Sequence, residues 1–283
     1  MILLNYFYYM NFIKNYSPIN ICDIGSGPSE ETPFIETLLK NTNSNIIGFE
    51  PNVEEYKKLN NSKNKKYYNH AVGDGKVHEL NICKAPGMSS FLKPNIEYLK
   101  LFHKFEEWSK ILKTIPVQTK KLDDIKEEFD LIKIDIQGYE SEVIKNGKNK
   151  IKNSLILQIE TSPIPLYVDE KPFSHICNQL EKLGFNLHMF NNINTRTFKP
   201  LMVNKDNYSG LHHLFQLDCV FIKNLENLNK INIENLKKMI LIMFWCFKSY
   251  DLVHLLITKL DKLTGENNIK NFLNQKINFE KIY

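Results

Sequence analysis

Apolar runs of strand length alternate with segments of helical spacing along most of this chain, and no other feature restricts its fold as much. That alternation is the pattern of a largely parallel sheet with helices on both faces. The strand-like runs are INICDIG at Ile19, NIIGFE, KKYYNHAVG, DLIKIDI, SLILQIE ending at Glu160, GFNLHMF and LDCVFIK. Between them, Thr32 before Pro33 reads as a cap with proline at the first helical position, and VEEYKKLN as a short helix. Gly138 opens a helix that carries Tyr139, Val143 and Ile144 to the sheet, and Pro172 to Leu183 forms another. KVHELNI reads as an extra edge strand, and residues 95–113, NIEYLKLFHKFEEWSKILK, as an inserted amphipathic helix and candidate lid. The polar connection from Asn191 to Gln216 is long enough to suggest a functional or disordered segment.

Length bounds the organisation: 283 residues, 42% of them hydrophobic, bury one core plus a small appendage. We expect an N-terminal helix over 1–18, a main domain over 19–223 and a helical C-terminal extension over 224–283. The opening MILLNYFYYMNFIK has neither a basic leader nor a small-residue cleavage site and is too short to span a bilayer. It reads as a docked helix, with a surface anchor as the alternative. The apolar run Met239 to Phe247 is also too short for a span, so the tail packs on the domain or pairs two copies as a homodimer in preference to contacting a membrane. Five cysteines at scattered spacings suggest neither a disulfide framework nor a metal site, which fits a reducing cytoplasmic setting. Net charge is +5, but residues 223–283 hold ten lysines against six acids, so the rest is nearly neutral. Arg196 is the single arginine, which argues against nucleic acid as a partner.

DIGSGP lies where the first strand meets its helix, so Gly25 and Gly27 permit a tight turn and close approach of a ligand. Glu50 ends the second strand, where a carboxylate grips both hydroxyls of a ribose. A dinucleotide turn wants a third glycine where this chain has Glu30, which disfavours NAD and FAD, and a P-loop is absent. Asp23 at the strand end suits a positively charged ligand. S-adenosylmethionine, with its ammonium, sulfonium and adenosine, meets these conditions. The competing reading is that Asp23 and Glu50 only cap turns.

CDIGSG, GFEPN, NHAVGD, KKLDDI and, most specifically, DLIKIDIQGYESEVIKNG followed by LQIE and LYVDEKPFSHICNQLEKLGF resemble the FkbM-type family of S-adenosylmethionine-dependent methyltransferases. The resemblance spans roughly Ile19 to Lys223. It implies a class I methyltransferase (Rossmann-like) fold with a seven-stranded, mostly parallel sheet, cofactor at the ends of the first strands, and O-methylation of a sugar or natural-product hydroxyl. Ser26, Gly27 and Pro28 depart from the family's usual first motif, and with them the cofactor contacts there.

Lys133 and Asp135 are two apart in a strand whose faces should both be covered, so they need pairing or an open strand end. Asp135 lies at the carboxyl end, where a doubly wound sheet has its ligand crevice. Methyl transfer requires an accepting oxygen to be held in line and its proton taken. Asp135 is the candidate for that work, with Glu140 and Glu160 as substrate contacts or alternative bases. Helix capping for Glu140, structural pairing for Asp135 and a divalent metal held by the carboxylates are the alternatives. His70 and Ala71 fall where this fold meets adenine. Ser89, Ser90, His188, Arg196, His212 and His213 are candidates for shaping the acceptor site. N-methylation of an amide or peptide side chain and a non-catalytic binding module stand as second readings.

Overall fold

The computed structural model describes residues 10–27 and 33–274, so the expected cap at Thr32 and the position of Glu30 lie outside the described residues. In chain order the first elements are β1 (Ile19–Ile24), α1 (Pro33–Asn41), β2 (Ser44–Phe49), α2 (Val53–Tyr56), β3 (Lys65–Tyr68), β4 (Ala71–Val72) and β5 (Val77–Cys83). There follow α3 (Ile96–Leu99), α4 (Phe105–Trp108), β6 (Ile111–Lys120), β7 (Leu131–Ile134), α5 (Glu140–Asn146), α6 (Lys148–Asn153) and β8 (Ile156–Thr161). The last are α7 (Phe173–Glu181), β9 (Phe185–Arg196), β10 (His213–Lys223), α8 (Ile233–Trp245), α9 (Tyr250–Thr264) and α10 (Asn268–Leu273).

Seven strands make the main sheet in the order β3-β2-β1-β7-β8-β10-β9. β7 pairs in parallel with β1 and with β8, and β2 with β3, whereas β10 runs antiparallel to both β8 and β9. This is the mostly parallel class I methyltransferase sheet that the family resemblance implies. Strand order reverses between β1 and β7, which leaves a crevice at their carboxyl ends. Central β7 is buried on both faces: Leu131, Ile132 and Ile134 are all 0% exposed. Its β-branched residues suit that position, and they join Cys22, Ile24, Leu157, Ile159, Val143 and Phe221 in the main core. The expected edge strand KVHELNI is β5, but it belongs to a separate three-stranded sheet, β4-β6-β5.

Contacts divide the chain into two compact units, 20–31 with 45–225, and 1–19 with 32–44 and 226–283. In the latter unit α8 packs on α9 and on α1, burying Leu236, Met239, Ile240, Ile242 and Met243, and Phe34 meets Phe247 with ring centroids 5.7 Å apart. The apolar run of the tail is therefore consumed within this unit. Of the N-terminal helix expected over 1–18, the first nine residues lie outside the described ones, residues 10–12 form a turn, and the chain then runs irregularly into β1. Among the described residues no helix is long and apolar enough to cross a membrane.

Two expectations are corrected. The single helix over 95–113 is instead two short helices followed by β6, because Lys104 adopts a left-handed backbone (φ 68°) between them. The helical spacing of Leu99, Phe102 and Phe105 is real, but it serves an aromatic cluster. Phe102 and Phe105 pack on Phe215 with centroids 4.9 and 4.6 Å apart, and Leu99 and Tyr167 close the same core. The connection from Asn191 to Gln216 shrinks to residues 197–212, since β9 and β10 form one long antiparallel pair.

A segment anchored this way is not a free lid. Phe102→Ala is expected to cost about 3–5 kcal/mol in chemical unfolding, and amides of 96–109 should exchange slowly in the wild type and faster in the variant. Exchange of these amides within seconds in the wild type would show the segment to be mobile after all.

Candidate functional site

The glycine turn after β1 is closed by its own backbone and one hydroxyl. Gly25 has φ +89°, and a Cβ there would sit 1.8 Å from the Asp135 carbonyl oxygen, so only glycine fits. Gly25 N–H and Ser26 N–H both donate to Phe49 O, at 3.0 and 3.2 Å. Ser26 Oγ donates to Asp23 O at 2.7 Å and accepts from Phe49 N–H at 3.1 Å, tying the turn to the end of β2. That end carries Glu50, 8% exposed, whose Oε1 accepts from Asn52 N–H at 2.7 Å. Burial drives Glu50 up to about 7, although the Asn52 N–H favours its ionised form.

A cavity partly open to solvent lies against this turn. Gly25, Gly27, Glu50, His70, Ala71 and Asp135 all line it, together with Ser89, Ser90 and Phe91 from the loop after β5. Glu50, Glu55 and Asp135 supply three carboxyl groups, and among the described residues no lysine or arginine lines the cavity. Such a donor set fits a ligand that carries hydroxyls and positive charge and is a poor cradle for phosphates. His70 stacks parallel to Tyr68 at 6.2 Å, and Lys120 Nζ lies 2.9 Å from its Nε2. Partial burial, then Lys120, keeps His70 below its usual range.

Beneath the cavity floor Lys133 resolves the charge problem of β7. Its Nζ lies 3.2 Å from Asp135 Oδ2 and 3.6 Å from Asp23 Oδ1, and Lys133 and Asp23 are register partners on adjacent strands. Burial pushes Asp23 up, only partly offset by Lys133. Burial acts the same way on Asp135, but Lys133 together with hydrogen bonds to Glu160 and Gln137 outweighs it and holds Asp135 low. Asp23 supports the site from below and is not part of the cavity lining.

The other two expected carboxylates fall in different places. Glu140 does not line the cavity: its Oε1 accepts from Ile136 N–H and Gly138 N–H, both at 3.0 Å, closing the turn that presents Gln137. Burial and then the Glu170 charge push it up to about 8. Glu160 stands beside Asp135, and Gln137 bridges them, its Nε2 donating to Asp135 Oδ1 at 3.1 Å and to Glu160 Oε2 at 2.7 Å. Gln137 has a left-handed backbone (φ 57°), its Oε1 accepts from Tyr167 OH at 3.1 Å, and its carbonyl accepts from Ser90 Oγ at 2.6 Å. The sequence reading passed over Gln137 because it took the stretch after Asp135 as a helix start. It also passed over Asp218, an acid inside the apolar run LDCVFIK that the reasoning used for Asp135 would have flagged. Arg196, His188, His212 and His213 do not line the cavity; His213 meets Tyr98 OH at 2.6 Å in the aromatic cluster. Among the described residues no group of three or more His, Cys, Asp or Glu side chains is arranged to hold a metal ion.

The comparisons with known proteins bear on this geometry. No curated protein matches the sequence. Among solved structures, methyltransferase FkbM from Methylobacillus flagellatus KT aligns at 12% identity and TM-score 0.41 over 76% of this chain and 46% of its own, so this chain spans under half of that protein's length. Magnesium protoporphyrin IX methyltransferase from Synechocystis PCC 6803, solved with bound S-adenosylmethionine, aligns at 9% identity and TM-score 0.39 over 74% of this chain and 72% of its own. At such similarity the fold assignment rests on the strand order above. A family model for the methyltransferase FkbM domain matches residues 23–187, more than half of the chain and every element of the cavity, and the chain thus belongs to the FkbM family of S-adenosylmethionine-dependent methyltransferases.

Proposed function

We propose that this protein moves a methyl group from S-adenosylmethionine to a hydroxyl oxygen of a small, sugar-like or natural-product acceptor, and that residues 19–223 carry the reaction. The observation that carries the reading is the lining of one cavity by Gly25, Gly27, Glu50, His70, Ala71 and Asp135, with three carboxyl groups and, among the described residues, no lysine or arginine. When bound, S-adenosylmethionine supplies a methyl group on a positively charged sulfur. Glu50, its Oε1 fixed by Asn52, accepts hydrogen bonds from the ribose hydroxyls, and His70 with Ala71 flanks the adenine. Gly25 and Gly27 let the backbone approach the remainder of the cofactor.

Asp135 faces the same cavity from β7 and accepts the hydrogen bond of the acceptor hydroxyl, orienting its oxygen. Being held low, it stays ionised at neutral pH and is a better hydrogen-bond acceptor than proton store. Glu140 acts at one remove, by holding the turn.

Titration calorimetry of the purified protein with S-adenosylmethionine and its demethylated product is expected to show binding to both and none to NAD. Glu50→Ala should weaken both by about 10- to 100-fold, the equivalent of losing hydrogen bonds to a charged group. Absence of binding to the wild type would sink the reading. The dependence on pH follows from Glu50, which is ionised above about 7 and protonated below. Its carboxylate form is the one that accepts from hydroxyls, so the dissociation constant should rise about tenfold from pH 8 to pH 6, and Glu50→Gln should flatten the curve. The apo protein carries the opposite sign: a carboxyl raised by burial binds more protons folded than unfolded between about 4.5 and 7. Stability is therefore lost as pH rises through that window, and Glu50→Gln should raise the melting temperature of apo protein at pH 8.

A further inference from the structure

Three carboxyl groups stand in one row across the carboxyl end of the sheet. Asp135 follows β7 and lines the cavity. Glu160, near the end of β8, stands beside it, bridged to it by the Gln137 amide. Asp218 on β10 is the direct register partner of Glu160 in an antiparallel pair, so both side chains project from the same face with Cβ atoms about 4.5–5.5 Å apart. Asp218 in turn pairs in register with Asn192 on β9 and hydrogen-bonds its side chain, and Asn192 is exposed. The row thus begins at the cavity and ends at solvent.

Asp135 and Glu160 are a pair of carboxyl groups bridged by one amide. Gln137 donates to both members through one nitrogen, and its own position is over-determined by Tyr167 OH, Ser90 Oγ and the turn that Glu140 closes. The left-handed region is disfavoured for a residue with a Cβ, so these contacts hold Gln137 where its backbone alone would not settle. Lys133 from β7 and Asp23 from β1 are the other charged groups facing Asp135. Asp218 is pushed up to about 6 by burial and then by the Asp135 charge, whereas Asp135 is held low.

We propose that Asp135, Glu160 and Asp218 form a proton relay from the cavity to solvent, with Gln137 as the positioning residue that couples its first two members. This rests on the methyltransferase reading for its purpose. Moving a methyl group from a sulfonium to a hydroxyl breaks one O–H bond and releases one proton. That proton enters at Asp135, passes to Glu160 and then to Asp218, and leaves to water. One proton goes in and one comes out, and the pair returns to its starting state. The relay explains how an aspartate too acidic to store a proton can still receive one.

The test is the pH titration, from 3 to 9, of side-chain carboxyl carbons in full-length protein labelled with 13C at Asp and Glu, each resonance assigned by its loss in D135N, E160Q or D218N. The expected result is a two-step curve for Asp135, one step following the Asp218 midpoint near pH 6. D218N should abolish that step, and Gln137→Met should separate the Asp135 and Glu160 curves while the far-UV spectrum stays unchanged. A single-step Asp135 curve that is identical in D218N and E160Q would overturn the relay. Calorimetry with S-adenosylmethionine on the same samples keeps the two readings apart: a protein that binds no cofactor yet shows coupled titrations loses the function and keeps the relay, and the reverse result does the opposite.

Discussion

Lys133 is a cation in the middle of a strand buried on both faces, and the arrangement of the site depends on its having two carboxylates to answer it. Asp23 comes from the next strand in register, Asp135 from two residues further along its own. Removing an ion from water costs several kcal/mol, and a lone ammonium here would deprotonate or pull the strand open. With both acids present the charge is met twice over, and the side effect is that Asp135 at the cavity's edge is held low while burial keeps Asp23 raised. One buried lysine thus ties together two neighbouring acids, of which only Asp135 lines the cavity.

Around that centre the sheet and the cavity explain each other. Strand order reverses between β1 and β7, so the turn after β1 and the turn after β7 open onto the same space. The first turn needs Gly25 because the Asp135 carbonyl occupies the room a side chain would take. The second turn needs Gly138 (φ +97°), where a Cβ would meet Tyr167 and Glu170 at 3.1 and 3.2 Å. Two glycines, one on each side of the crevice, let the two strand ends approach until their functional groups share one pocket.

Much of this could be read without coordinates, because it is encoded locally. Seven strands, the glycine turn, Glu50 and the conflict of Lys133 with its setting are visible as periodicity and as charge in apolar runs. What escaped was non-local. The spacing of Leu99, Phe102 and Phe105 reads equally well as a helix face or as successive anchors into Phe215, more than a hundred residues away. β6 escaped because its partner strands and their register are set by tertiary pairing. Gln137 and Asp218 both adjoin Glu160, and that neighbourhood is created by strand order. Glu140 looked catalytic for a sound reason, its place in the first turn of a helix, but the nearest orphan N–H groups, those of Ile136 and Gly138, claimed it.

Ser26 occupies the place where the family's first motif is most altered, and its hydroxyl already has two partners, Asp23 O and Phe49 N–H. The space it fills is borrowed from Gly48: a Cβ at that position would lie 2.4 Å from Ser26 Oγ and 2.4 Å from the Tyr67 ring. The two positions are therefore not free to vary separately. A larger residue at 48 is excluded while the serine stands, and losing the serine leaves Phe49 N–H without its partner. Ser26, Gly48 and Tyr67 thus form one packed set, in which the hydroxyl of the first motif and the absence of a side chain in β2 each presuppose the other.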